Sequence, residues 1–160
     1  MLSPQEVRHL LALVNNLKAR MCLRMIYACG LRLTEGTQLQ VSDIDAQRML
    51  VRVCQGKGGK DRFVPLAPRV LELLRSSWRR QRPRPWVFPA RDGSAPLSST
   101  SLQKTFKAVV RQSGIATDAS IHTLRHNAEY RLLPSASAMS SLYDGTCTRW
   151  PGVLRRDSAA

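Results

Sequence analysis

Acidic side chains are scarce in this chain. It sets only 11 Asp and Glu against 25 Lys and Arg over 160 residues, a formal net charge of +14. An excess of that size predicts a polyanionic partner, most simply nucleic acid. Cysteine is also sparse: Cys22, Cys29, Cys54 and Cys147 form no C-x-x-C pair, which argues against a structural zinc site. Cys22 and Cys29 fall in an apolar helical pattern and read as buried thiols, which fits a reducing compartment. No apolar run is long enough to span a bilayer. The start, Met1 to Glu6, lacks the charged and apolar regions of a secretory signal, so the expected location is the cytoplasm, with no membrane partner. No stacking-aromatic motif of the kind that reads RNA is present, and no internal repeat.

Hydrophobic residues make up 43% of the chain, enough for the core of one domain. The positive charge is uneven. Residues 1–125 hold 21 basic and 8 acidic side chains, whereas residues 126–160 hold 4 and 3. Ser3-Pro4-Gln5-Glu6 predicts a capped helix start. A second helix is expected from about Lys18 to Cys29, stopped by Gly30, and a short one from Thr34. Met49–Val53 and Arg62–Leu66 read as the strands of a β-hairpin around the glycine-rich turn Gln55–Lys60. A helix follows from Pro68 to about Trp78, and then a basic, proline-broken linker over Arg79–Pro85. Trp86–Phe88 reads as a short buried segment and Arg91–Ser94 as a turn. Ser98 or Ser99 starts a further helix, and Ser120 caps one bearing His122 and Arg125. Beyond Leu133 the texture becomes low in complexity, and residues 134–160 are expected to be poorly ordered.

Three short segments carry chemistry. They are Gly30-Leu31-Arg32-Leu33-Thr34-Glu35, Gly56-Lys57-Gly58-Gly59-Lys60-Asp61-Arg62 and His122-Thr123-Leu124-Arg125-His126. A guanidinium is always charged and forks onto two oxygens, so arginines from distant segments can clamp one phosphate. A lysine on a hairpin can protonate a leaving oxygen, and a histidine beside the phosphate can donate or move a proton. Each segment alone also has a bland reading: a surface arginine, a basic turn, a helix-capping histidine.

In this order and context, with Val64-Pro65-Leu66 after the hairpin, the segments resemble the catalytic domain of the tyrosine recombinase (phage-type integrase) family over roughly residues 3–133. The resemblance implies an α+β fold, mainly helical, with one small antiparallel sheet. It makes Arg32, Lys57, His122 and Arg125 catalytic and Glu35 the supporting acid. Lys60 is the alternative to Lys57, and His126 reads as structural. It further implies double-stranded DNA as substrate, assembly of a homo-oligomer on that DNA, no metal and no nucleotide cofactor. In such enzymes a tyrosine attacks the phosphate and forms a 3′-phosphotyrosyl bond that stores the energy for rejoining.

The chain departs from the pattern after Arg125. It has no Leu-Gly-His segment, and its tyrosines are Tyr27, Tyr130 and Tyr143. Tyr27 reads as core and Tyr130 follows Arg125 too closely. Tyr143 remains as the candidate nucleophile, in unmatched surroundings, and Trp150 follows it in the wrong order to replace the missing histidine. A frameshifted or truncated catalytic domain over 1–133, lacking the family's N-terminal DNA-clamping domain, with an unrelated tail over 134–160, is therefore the expectation. The competing expectation is a non-catalytic DNA-binding remnant of a mobile-element integrase.

Overall fold

A computed structural model describes residues 2–54, 60–116 and 118–132, with side chains described as far as residue 128. Among these residues six α-helices run in chain order: α1 Pro4–Leu13, α2 Leu17–Cys29, α3 Leu33–Thr37, α4 Pro68–Gln81, α5 Ser99–Ser113 and α6 Ile121–Leu132. The three strands are β1 Ile44–Asp45, β2 Leu50–Val53 and β3 Arg62–Pro65, one antiparallel sheet in that order. The mainly helical α+β expectation holds.

Local chemistry explains the helix ends. The Ser3 hydroxyl accepts from the Glu6 N–H, while the Glu6 carboxylate accepts from the Ser3 N–H at 2.6 Å, a complete capping box. The Asn16 side chain caps α2, and Gly30 closes it in the left-handed region at φ 63°, a conformation glycine adopts without a Cβ clash. Ser98 caps α5, and Ser120 and Thr123 exchange hydrogen bonds at the start of α6.

α2 is the hub. Met21, Cys22, Leu23, Met25, Ile26 and Cys29 are all buried in it, and α1, α3, α4 and α6 pack around it. Leu10, Leu102, Phe106 and Leu124 complete the centre of the core. The Asn127 amide, itself buried, donates to the Leu2 carbonyl at 2.8 Å and ties α6 to the start of the chain. The close approach of α3 to α2 depends on Gly36, where a Cβ would stand 2.7 Å from Cγ1 of the fully buried Ile26. Gly36→Ala should therefore cost about 1–3 kcal/mol by overpacking. Ile26→Ala in the same protein should relieve the clash, so that the double variant costs less than the sum of the singles in urea unfolding. Strict additivity would sink the packing argument.

The structure corrects four local expectations. α4 continues through Arg79-Arg80-Gln81, which had read as linker. Arginine is a good helix former, and cations suit a helix C-terminus. The helix stops at Arg82, left-handed at φ 41°, whose guanidinium lies 5.7 Å from the Trp78 ring centre. Met49 belongs to the turn closing β1 onto β2, with φ 55°, so β2 begins at Leu50. β1 itself was missed, because two residues carry no readable period. In the segment Trp86–Phe88 only Phe88 is buried; Trp86 and Val87 are half-buried where Val87 donates to the Leu39 carbonyl. Cys22 and Cys29 are buried free thiols, as expected. No helix among the described residues is long and apolar enough to cross a membrane. The tail 134–160, with Tyr143, Cys147 and Trp150, lies outside the described residues, as do Lys57 and the turn that carries it.

Candidate functional site

Arg32 sits at the junction of α2 and α3. Gly30 turns the chain out of α2, and Leu31, fully buried, anchors the next residue. Arg32 then takes the N-cap position of α3 with extended backbone, φ −71° and ψ 158°. That places Glu35 three residues along, in the first turn, where its carboxylate reaches back. Oε2 accepts the Arg32 backbone N–H at 2.6 Å, and Oε1 accepts Arg32 Nη1 at 2.9 Å.

A second arginine grips the same carboxylate. Arg62, the first residue of β3, forks onto Glu35 with Nη1 to Oε1 at 2.9 Å and Nη2 to Oε2 at 2.8 Å. The Glu35 side chain is only 8% exposed, whereas Arg32 and Arg62 keep 32% and 34% open. Charge-assisted, bidentate contacts of this kind are strong and fix orientation. Burial pushes the Glu35 carboxyl up. The Arg32 N–H and the two guanidiniums outweigh it, and the group lies below its ordinary range. The network leaves Arg32 with its backbone and one terminal nitrogen fixed and a third of its side chain accessible. That arrangement suits a preorganised hydrogen-bond donor to a phosphate.

His122 and Arg125 lie on α6, with His122 exposed and Arg125 half-buried. Between them Leu124 is fully buried, so the core anchors the helix turn that presents the pair. α6 packs on α2, the helix whose C-terminal end leads into Arg32. The structure thus brings Arg32, Glu35 and Arg62 into direct contact and carries His122 and Arg125 on a neighbouring helix. His126 and Lys60 are exposed. In the sequence Arg62 only opens the returning strand of the hairpin. The available signal was the scarcity of acid: a half-buried arginine in a largely apolar strand needs one of very few carboxylates.

Behind Glu35 lies an open cleft of about 330 Å³, bordered by Gln38, Asp43, Arg52, Cys54 and Trp86. Asp43, buried, accepts from Arg52 Nη2 at 3.3 Å, the Gln40 N–H at 3.1 Å and the Cys54 thiol at 3.4 Å. Burial and the Asp43 charge push the Cys54 thiol up, so it stays a protonated donor. Burial likewise raises the Cys22 thiol and pushes Cys29 up to about 12. Among the described residues no group of three or more His, Cys, Asp or Glu is placed to hold a metal ion.

Comparison with known proteins agrees with this architecture. The phage integrase family model matches residues 1–142. The candidate integrase/recombinase y4qK of Sinorhizobium fredii is 40% identical over 141 residues, 88% of this chain and 46% of that protein. Tyrosine recombinase XerC of Chromohalobacter salexigens is 34% identical over 128 residues, 76% of this chain and 41% of that one. The chain spans about half the length of the curated relatives it matches. Among solved structures, XerA recombinase superposes with a TM-score of 0.70 at 23% identity, over 84% of this chain and 50% of that chain. XerH site-specific recombinase bound to its difH substrate gives 0.69 at 21% identity, over 88% and 44%. These two likenesses show a shared fold.

Proposed function

The chain belongs to the phage integrase family, and from that premise we propose that residues 1–133 form the catalytic domain of a tyrosine recombinase acting on double-stranded DNA. The observation that carries the reading is the pinned Arg32, tied to Glu35 through backbone and side chain while Glu35 is forked by Arg62. Such a guanidinium needs no reordering to meet a phosphodiester whose non-bridging oxygens gain charge. In this reading Arg32 and Arg125 clamp those oxygens and His122 donates a hydrogen bond to one. A tyrosine hydroxyl gives its proton to water as its oxygen bonds to phosphorus, the bond from phosphorus to the 5′-oxygen breaks, and Lys57 protonates that leaving oxygen. Glu35 and Arg62 touch no substrate; they position Arg32. The mechanism calls on no metal and no cofactor. Assembly of several copies on DNA belongs to the same proposal, as does a separate segment over 134–160.

The nucleophile is unassigned within this sequence, with Tyr143 the candidate. The lack of a tyrosine in the family's surroundings favours a second reading, a DNA-binding chain without cleavage. A nicked DNA duplex carrying a recombination site, incubated with the protein, separates the two. A detergent-resistant protein–DNA adduct, lost in Tyr143→Phe and in Arg32→Ala, would support cleavage. Arg32→Ala should then leave DNA affinity within a small factor of wild type. Salt-dependent binding with no adduct, and a uniform modest loss for Arg32→Ala, would leave only the binding reading. Absence of any DNA binding would sink both.

A further inference from the structure

α2 carries a second group of arginines well away from Arg32. Arg20 and Arg24 stand one turn apart on it, both half-buried. They lie 9 and 5 residues before Cys29, where α2 ends ahead of Arg32, roughly 14 and 8 Å along the helix. α4 packs against α2 and starts with Pro68-Arg69. Arg20 and Arg69 both act on Arg24: after burial, their charges hold its guanidinium below the ordinary range. None of the three forms an ion pair among the described residues, and the Arg20 Nε–H is buried with no hydrogen-bond partner.

Two local rules are broken in the same direction. Like charges at i, i+4 on a helix repel. Arg69 places a cation in the first turn of α4, at the positive end of its dipole, where an acid belongs. That first turn holds no acidic residue, and its N-cap, Ala67, offers no side-chain acceptor. Like-signed groups gathered without an ion-pair partner are expected at functional or strained sites, and an anion would complete this one.

We propose that Arg20, Arg24 and Arg69, gathered where α2 packs on α4, hold a backbone phosphate of double-stranded DNA at a site separate from the Arg32 centre. DNA is favoured over an acidic protein segment because the surplus charge covers most of the chain, with 21 basic against 8 acidic side chains over residues 1–125. The inference rests on the reading of DNA as substrate, and its contribution is to affinity and register rather than to chemistry.

Fluorescence anisotropy with a labelled 30-base-pair duplex, run across a salt series, tests it. The triple variant Arg20→Gln/Arg24→Gln/Arg69→Gln should bind more weakly. Its slope of log affinity against log salt should be shallower by about 0.9 for each phosphate released. Its melting temperature should hold or rise, because repulsion is removed. A control triple, Arg8→Gln/Arg48→Gln/Arg91→Gln, removes the same charge from scattered exposed positions and should change the slope less. Equal effects from the two triples would reduce the cluster to net charge and overturn the proposal. An unchanged slope with a raised melting temperature would make it uncompensated strain. A shift in oligomeric state without DNA, with DNA binding unchanged, would make an acidic protein segment the occupant. If the wild-type protein binds no DNA, this inference falls together with the proposed function. If it binds and only the cluster variant behaves like wild type, this inference falls alone.

Discussion

Glu35→Ala should destabilise the protein by about 2–3 kcal/mol and release Arg32 in the same step. Removing one partner of a buried charge network leaves the others uncompensated, at about 3–5 kcal/mol for fully buried groups. Here Arg32 and Arg62 keep 32% and 34% of their side chains open, so water recovers part of the loss. Glu35→Gln preserves shape and one acceptor, so its loss should be smaller. Arg62→Lys should behave as an intermediate, because an ammonium cannot fork onto both oxygens.

The same network has a pH signature of fixed sign. The folded-state pKa of Glu35 lies below the ordinary 4.5. Its stabilisation is therefore fully present above that value and is lost as pH falls through the lowered one. Urea unfolding at pH 7 and through the range below pH 4.5 should show wild type losing an increment that Glu35→Gln never had. Parallel stability curves for the two proteins would mean that the two arginines contribute nothing through Glu35.

Leu124→Ala should cost about 3–5 kcal/mol, the upper part of the range for deleting a fully buried leucine side chain. Leu124 lies between His122 and Arg125, so the cavity forms directly under the turn that presents them. Leu124→Met, which keeps the volume, should cost less than about 1.5 kcal/mol. Equilibrium unfolding gives the two numbers. DNA cleavage, if the chain performs it, should fall for Leu124→Ala under conditions where the protein is still folded. Equal stability of the alanine and methionine variants would mean that α6 is not seated through this side chain.

Much of the fold was legible because its signals are local. A capping box needs only Ser3 and Glu6, and a left-handed stop needs only Gly30. The helical stripes of α2 and α5 are written at spacings of three and four residues. Errors fell where one local signal opposed another. Arg79 and Arg80 read as a solvated run because Pro83 and Pro85 follow, yet nothing in Arg79–Gln81 prevents a helix from continuing. Met49 read as strand because it is apolar, yet closing β1 onto β2 needed a left-handed residue there.

The sequence by itself determined the family, the mainly helical class, and the candidate residues Arg32, Glu35, Lys57, His122 and Arg125, since each is recognised by neighbours a few positions away. Only the tertiary structure decided that Arg62 and Arg32 share one carboxylate, and that Arg69 comes to Arg24. Those pairs are separated by 27 residues or more (Glu35 to Arg62), and no local rule chooses among so many cations for so few acids. Packing chooses: the β-sheet and α3 bring Arg62 to Glu35, and α4 lying on α2 sets the charge of Arg69 beside that of Arg24.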